Sequence, residues 1–461
     1  MIDINYKLNN IIFNSNHFIR DMTINLYGYF LAKKRFGKTF KKYYNFLQES
    51  QWWDLKKLQE FQREKLKELI DIAYNNVPYY RKLFSEYGLT PSDINTIEDL
   101  NKLPSLNKNI IRENIKELLN KKINRAEILK RYSSGTTGQK LEYYLPKELA
   151  YGINYAQLYR FYKWANIKLG DRRVTIGGRI FTFKPPYWVF NKAENQLLLS
   201  IHHLNENTVD EYIEKIKNFR PVFIQGHPSG LYFLAKRISY LNMSIPVKAI
   251  FTTGETLFDY QRESIKKAFD CDVFESYGLG ESVIMAFECE MHSGFHEASE
   301  YGILEFEKDS SSLYRVIGTS LWNYAMPFIR YEIEDLVEIS DNWNCTCGRG
   351  LPIKIKRVIG RIDDILISDE GQTVFPVTIR MSIKPVLKPF DNYQLQQIGK
   401  GEYIFLFTGD LDRETRMIIL RILKNILGRN SKIQIEPVDK IMSQSGKVRN
   451  ILNLYKKVKN E

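Results

Sequence analysis

From about residue 125 onward, short apolar runs that read as strands alternate with amphipathic runs that read as helices, an order that few architectures accommodate. The strand-like runs are "RRVTIGG", "PVFIQGH", "VKAIFTTGE" and "CDVFESYG". Between them stand "EYIEKIKNF", "GLYFLAKRISYL" and "YQRESIKKAF". This alternation predicts an α/β fold whose strands are joined by crossover helices.

The flanking regions differ in character. From about residue 17 to 120 the pattern is helical: Leu58, Phe61, Leu66, Leu69, Ile70 and Ala73 recur mostly at three- and four-residue intervals, and "TPSDINTIEDL" carries helix-start signals. Between about 300 and 340, "YGILEFE", "LYRVIGTS" and "LVEISD" read as short strands. After "KRVIGRIDD", the strand-like "YIFLFTG" and "SKIQIEP" flank the helix-like "DRETRMIILRILKNIL", a small α+β unit. A chain of 461 residues exceeds the size of a single core, so we expect a large domain over 1–360, with 1–120 mainly helical, and a small one over 361–461.

A net charge of +13 favours anionic partners without choosing among them. Six basic residues between Lys33 and Lys42, without an acid, interleave with Phe36 and Phe40 and precede Tyr43, Tyr44 and Phe46. Two readings stand: a basic amphipathic helix on a membrane surface, or a solvated helix face whose aromatics lie in the core. No run approaches the ~20 apolar residues of a membrane span, and the N-terminus lacks the pattern of a secretory signal. The expected location is cytoplasmic, with peripheral membrane contact as the variant. Four cysteines are too few for a disulfide scaffold.

The stretch "RYSSGTTGQK", residues 131–140, gathers four hydroxyls, two glycines and a lysine. Glycine lets backbone N–H groups converge on a phosphate, and Ser and Thr hydroxyls add donors. The spacing is not that of a Walker A loop. Together with "ESYGLGES" (275–282), "IRYEIEDLVEI" (329–339), "GRIDDILI" (360–367) and "SQSGKVRN" (443–450), it resembles the ordered motifs of the adenylate-forming superfamily of acyl-CoA ligases, peptide-synthetase adenylation domains and luciferases. The segment "LKELIDIAYNNVPYYRKLFSEYGLTPSDINTIEDLNKLPSLNKNIIREN" resembles the start of its phenylacetate-CoA ligase branch, which includes capsule-biosynthesis relatives.

The resemblance implies that a carboxylate attacks the α-phosphate of ATP, giving an acyl-adenylate and pyrophosphate, after which a thiol such as coenzyme A takes the acyl group. It implies a catalytic Lys447, Glu281 and Thr136, and a mobile lid over 361–461 hinged at Asp363. Ser133, Ser134, Gly135, Thr136, Thr137 and Gly138 would hold phosphates, and Glu281 would hold Mg²⁺. Ser276, Tyr277 and Gly278 belong to the nucleotide motif; Asp335 would bind the ribose, Arg361 the phosphate or ribose, and Glu255, in "TTGETL", would lie near adenine or substrate. Lys447 would bridge the carboxylate and the α-phosphate.

Cys289, His292, His296, Cys345 and Cys347 offer three thiolates and one of two imidazoles for a closed tetrahedral zinc site. The plain alternative is free thiols and solvated histidines. Some relatives in the resembling branch carry zinc ligands at corresponding places, which favours His296. The implied partner is a small-molecule carboxylate, an aromatic or a sugar acid, with no nucleic acid, in a homodimer. The rival readings are an adenylate-forming amide ligase or adenylyltransferase in polysaccharide or capsule biosynthesis, and a non-catalytic nucleotide-binding or membrane-surface scaffold.

Overall fold

The computed structural model describes residues 16–133, 141–180, 182, 184–309, 312–374, 376–383, 386–387, 393–441 and 449–455. The helical opening comprises α1 (His17–Arg35), α2 (Lys38–Ser50), α3 (Leu55–Asn76) and α4 (Pro78–Glu86). Asp54 caps α3, its carboxylate accepting the Lys57 amide at 2.8 Å. The helix ends before Pro78, where the residue preceding a proline is steered out of the helical region. Leu58, Leu66, Leu69, Ile70 and Ala73 all lie on its buried face. Each fully buried leucine contributes roughly 1.5–3 kcal/mol relative to exposure.

The basic segment spans the end of α1 and the start of α2. Phe36 and Phe40 meet edge-to-face at 5.1 Å, and both pack edge-on against Tyr159. The aromatics of this segment therefore lie in the core. The exposed apolar side chains stand one helix earlier, where Phe18 (70% exposed), Met22 (59%), Leu26 (61%) and Phe30 (55%) recur every four residues along one stripe of α1.

A hairpin of β1 (Ile128–Tyr132) and β2 (Glu142–Pro146) precedes α5 (Asn154–Trp164) and a sheet of twelve strands. Its parallel part runs β8 (Asp272–Gly278), β7 (Ala249–Thr253), β6 (Phe223–Gly226), β3 (Arg173–Gly177) and β5 (Gln196–Ser200). The helices α6 (Val209–Phe219), α7 (Pro228–Tyr240) and α8 (Asp259–Phe269) make the crossovers that the sequence pattern predicts. β4 (Trp188–Asn191) closes one edge antiparallel to β5. Beyond β8 the sheet turns antiparallel through β9 (Met285–Glu288), β10 (Phe295–Glu297), β14 (Ile353–Arg361), β13 (Tyr331–Ile339), β12 (Tyr314–Ser320) and β11 (Gly302–Lys308). Helix α3 reaches this region through Gln62, whose amide donates to the Gly302 carbonyl at 3.0 Å. A Cβ at Gly302 would fall 2.2 Å from the Val283 carbonyl oxygen, so only glycine fits there.

After Arg361 the chain builds a second sheet with its own core. Its order is β19 (Lys432–Pro437), β18 (Glu402–Phe407), β17 (Tyr393–Gly399) and β20 (Ile451–Asn453), beside the short pair β15 (Leu366–Ile367) and β16 (Thr373–Val374). After α9 (Pro376–Ile383), helix α10 (Arg413–Leu427) presents Ile419, Leu423 and Leu427, four residues apart, to Leu395, Phe405 and Phe407. No helix among the described residues is long and apolar enough to cross a membrane.

Candidate functional site

The parallel strands deliver their following loops to one edge of the sheet, where open α/β folds bind ligands. At that edge a cleft of about 190 Å³ is lined by Ser229, Glu255, Thr256, Ser276, Tyr277, Gly278, Asp335 and Arg361. Asp364, Arg449 and Asn450 close it from the C-terminal unit.

Tyr277 and Asp335, 58 positions apart, meet here: the phenol donates to Asp335 Oδ2 at 2.9 Å. Burial, then the adjoining carboxylate, raises the Tyr277 pKa well above its ordinary value, so it remains a donor. Arg361, paired across the β13–β14 ladder with Asp335, places Nε 3.8 Å from Oδ1. Glu281 is buried behind the Tyr277 turn, and that burial raises its pKa against the pull of Lys108 and Arg361. A buried carboxylate so placed gains most from a cation. The residue after Glu281 and the residue before Asp335 both have left-handed backbones, Ser282 at φ 59° and Glu334 at φ 65°. Such strain in non-glycine residues costs on the order of 1 kcal/mol or more and gathers at functional sites.

The other expected residues divide. Ser133 closes the base of the hairpin loop: its amide donates to the Leu141 carbonyl at 2.8 Å, and its hydroxyl accepts from the Leu141 amide at 2.9 Å. Ser134, Gly135, Thr136, Thr137 and Gly138, and likewise Lys447, lie outside the described residues. The Asp363 side chain does too, although its backbone forms part of the turn Ile362–Asp364 after β14. Ser276 and Gly278 line the cleft, with the Ser276 hydroxyl donating to the Thr252 carbonyl at 2.9 Å. Glu255 also lines it, yet both of its oxygens accept from Ser229, at 3.0 Å from the amide and 3.1 Å from the hydroxyl, which ties the carboxylate to the start of α7. His227 is a satisfied loop histidine, with Nδ1 2.8 Å from the Thr253 carbonyl.

Sequence reasoning missed Asp364 and Arg449, which form an ion pair at the mouth of the cleft. The second acid of "RIDD" and the arginine after "GKV" were the available signals. It also missed Glu275, a wall of both the cleft and an adjoining cavity of about 450 Å³ lined by Arg262, Glu288, His292, Lys356 and Arg357. Arg262 Nη2 donates to both oxygens of Glu288 at 3.0 Å and stands 3.9 Å from Glu275. Glu275, left with less compensation, is pushed by burial up to about 8.

A second cluster lies at the far side of the antiparallel region. The ligand atoms of Cys289, His296, Cys345 and Cys347 all fall within 4.8 Å of one another. Cys289 Sγ is 3.6 Å from Cys345 Sγ, and Cys347 Sγ is 3.6 Å from His296 Nε2. Edges of about 3.7 Å are what a tetrahedron of zinc–sulfur bonds near 2.3 Å requires. His296 Nδ1 sits 2.6 Å from the Leu351 carbonyl, which fixes the tautomer that leaves Nε2 free to ligate. Burial brings the His296 pKa down to about 4, so the ring is neutral. His292 is elsewhere, with Nδ1 3.2 Å from Glu288.

No protein-family model matches the chain. Protein CapK of Staphylococcus aureus is 28% identical over 453 residues, 95% of this chain and 97% of that protein. The phenylacetate-coenzyme A ligase of Thermus thermophilus is 24% identical over 445 residues, 87% of this chain and 97% of that enzyme. That of Pseudomonas putida is 26% identical over 370 residues, 75% of this chain and 79% of the enzyme. Among solved structures, 2-hydroxyisobutyryl-CoA ligase in its postadenylation state superimposes with a TM-score of 0.66 at 15% identity, covering 88% of this chain and 92% of that one. The same ligase in its thioesterification state gives 0.56 at 16% identity, over 88% and 93%. The chain has the fold of these CoA ligases, and its sequence relatives are those of the branch that its motifs resemble.

Proposed function

We propose, from this kinship, that the protein is an AMP-forming ligase that activates a small carboxylate with ATP and passes the acyl group to coenzyme A. The observation that carries the reading is the convergence of Tyr277, Asp335 and Arg361 on one cleft at the C-terminal edge of the parallel strands, with Glu281 behind it. Asp335, already oriented by Tyr277, has the acceptor capacity to hold ribose hydroxyls. Arg361 would neutralise phosphate charge. Glu281 supplies a hard oxygen ligand suited to Mg²⁺, which when bound would offset charge on the leaving pyrophosphate. Lys447 is assigned the α-phosphate contact by the motif it ends, and Arg449, two residues on, already lines the cleft. Residues 361–461 serve in this reading as a lid that alternates between two poses. The structure is more similar to the postadenylation form of one ligase than to its thioesterification form, which fits the first of those two poses.

The Cys289–His296–Cys345–Cys347 cluster would hold structural zinc, since its donors, edge lengths and fixed tautomer suit a closed site. The test of the activity is ATP–pyrophosphate exchange across a panel of carboxylates, followed by product analysis with and without coenzyme A. Exchange that depends on a carboxylate and thioester that depends on coenzyme A are expected. Exchange followed by transfer to an amine instead would replace the acceptor, and no exchange with any acid despite tight ATP binding would leave only the non-catalytic reading.

A further inference from the structure

We infer that the outward face of α1 docks on an anionic lipid surface and holds the protein at a membrane without crossing it. The inference goes beyond the proposed activity and does not depend on it.

The way α1 is attached is the starting point. Its inward face meets β4, the edge strand of the large sheet, largely through polar groups. The buried Arg20 guanidinium donates to the Pro186 carbonyl at 2.8 Å and to the Trp188 carbonyl at 3.2 Å. The Asn25 side chain donates to the Phe190 carbonyl at 2.9 Å and accepts from the Lys192 amide at 2.8 Å. Ile24 adds a small apolar contact with Val189 and Leu198. A helix that did no more than cover a sheet edge would turn polar residues to water. Helix α1 does the reverse: Phe18, Ile19, Met22, Leu26, Tyr29 and Phe30 are between 43% and 70% exposed. At about 100° per residue they share an arc of about 120°, centred opposite Arg20, Ile24, Gly28 and Leu31 on the buried side.

Area and charge point to lipid as the occupant of this face. At about 200 Å² per side chain of this size, the exposed fractions amount to on the order of 500 Å². A stable complex between proteins takes roughly 800 Å² from each partner, so a second copy seated on the stripe alone would be held weakly. A lipid surface has no such requirement, because attraction between basic side chains and anionic headgroups adds to apolar burial. The chain has no acid between Asp21 and Glu49. Asp21 is itself bound to Arg20 at 2.8 Å. Lys33, Lys34, Lys38, Lys41 and Lys42 are all exposed, while Arg35 is spent on the buried Glu194. Lys33 prolongs the stripe by one turn, its Nζ 4.6 Å over the Tyr29 ring. Lysines at the end of an aromatic and aliphatic stripe meet the headgroup layer while the stripe enters the boundary beneath it.

The docking face is separate from the cleft. In the order β8–β7–β6–β3–β5–β4, the strand that α1 covers lies five strands from the one that carries Tyr277, about 24 Å at 4.8 Å per strand. Substitutions on the stripe therefore leave nucleotide binding as a control.

The test is flotation of the full chain with vesicles of phosphatidylcholine alone and of phosphatidylcholine mixed with phosphatidylserine. Wild type should partition onto the mixed vesicles about tenfold or more better than onto the neutral ones, and added salt should weaken that binding. The double variant Met22→Ser, Leu26→Ser should lose about tenfold or more on the mixed vesicles. The double variant Lys33→Gln, Lys34→Gln should lose about tenfold there and change little on neutral ones. Without lipid, both variants should match wild type in melting temperature, in mass by light scattering and in ATP affinity, because the four replaced side chains are exposed. Wild type that floats with neither vesicle, equal binding to both vesicles, or a serine variant that floats as wild type does would each overturn the inference. So would a serine variant that, without lipid, melts several degrees lower or has half the wild-type mass, since the stripe would then be covered by the chain itself or by a second copy.

Discussion

Replacing Glu275 by glutamine should make the protein more stable in alkali and leave it unchanged in mild acid. The reason lies in how one guanidinium is divided. Arg262 Nη2 donates to both oxygens of Glu288 at 3.0 Å and Nη1 to the Val273 carbonyl, while Glu275 remains 3.9 Å away. The Glu275 carboxylate keeps the Leu257 amide at 3.1 Å, faces the like charge of Glu288 and that of Asp259, and is buried. Glu288 is also 3.2 Å from His292, so its own compensation is not released. A rise from 4.5 to about 8 means that the native state holds a proton that the unfolded chain has lost. Stability linked to this group is therefore fully present below pH 4.5 and disappears as pH climbs through 8. At 1.36 kcal/mol per pH unit the whole effect is about 5 kcal/mol, of which roughly 4 falls between pH 5 and 9. Glutamine mimics the protonated acid and does not titrate. The assay is thermal unfolding of wild type and Glu275→Gln at half-unit steps from pH 5 to 9. The curves should coincide near pH 5 and diverge upward for the variant, by an amount on the order of 5 °C at pH 9. Curves that run parallel throughout would refute the division of Arg262 described above.

Asp335→Ala should weaken ATP binding ten- to a hundredfold by calorimetry, since removing a charged hydrogen-bonding partner costs about 1.5–3 kcal/mol, while Tyr277→Phe, which keeps the carboxylate and loses only its orienting donor, should cost less. Cys345→Ser should reduce bound zinc, measured by mass spectrometry of the purified protein, from one equivalent toward none and lower the melting temperature; equal zinc in both proteins would remove the metal assignment. The stripe on α1 should dock on anionic vesicles: wild type is expected to float with phosphatidylserine liposomes, and the double variant Leu26→Asp, Phe30→Asp should remain at the bottom. Flotation unaffected by that double change would clear the stripe of a role.

Much of this architecture was readable because period and position carry it. The strands β3, β6, β7 and β8 and helices α6, α7 and α8 stand where the alternating runs predict them, since each buries one kind of pattern. Of the candidate site, the resemblance pointed to Tyr277, Gly278, Asp335 and Arg361, which line one cleft, while the ladder that sets Asp335 opposite Arg361 is a long-range pairing that no local pattern carries. What escaped depends on long-range division of partners. That Glu255 is bound to Ser229 and that Glu275 is under-compensated both follow from which groups meet in three dimensions. The basic run from Lys33 to Lys42 left two readings open because an aromatic every four residues serves a core and a lipid surface equally well; the contacts of Phe36 and Phe40 with Tyr159 decide for the core.

The bonds already present in the cleft bear on how a nucleotide enters it. Tyr277 occupies one oxygen of Asp335 at 2.9 Å, while Arg361 stands off the other at 3.8 Å, beyond hydrogen-bond range. A ribose hydroxyl approaching Asp335 therefore meets one committed oxygen and one that is only loosely held, and it can bind without displacing Tyr277. The Asp364–Arg449 pair has the opposite character: both side chains are about nine-tenths buried, and both come from residues after β14. Opening the cleft by moving that unit need not break it. The bond most exposed to exchange is thus the Asp335–Arg361 contact across β13 and β14. A double-mutant cycle on these two residues should give a small coupling in protein stability and a larger one in ATP affinity. Coupling of the reverse order would mean that the pair serves the fold rather than the ligand.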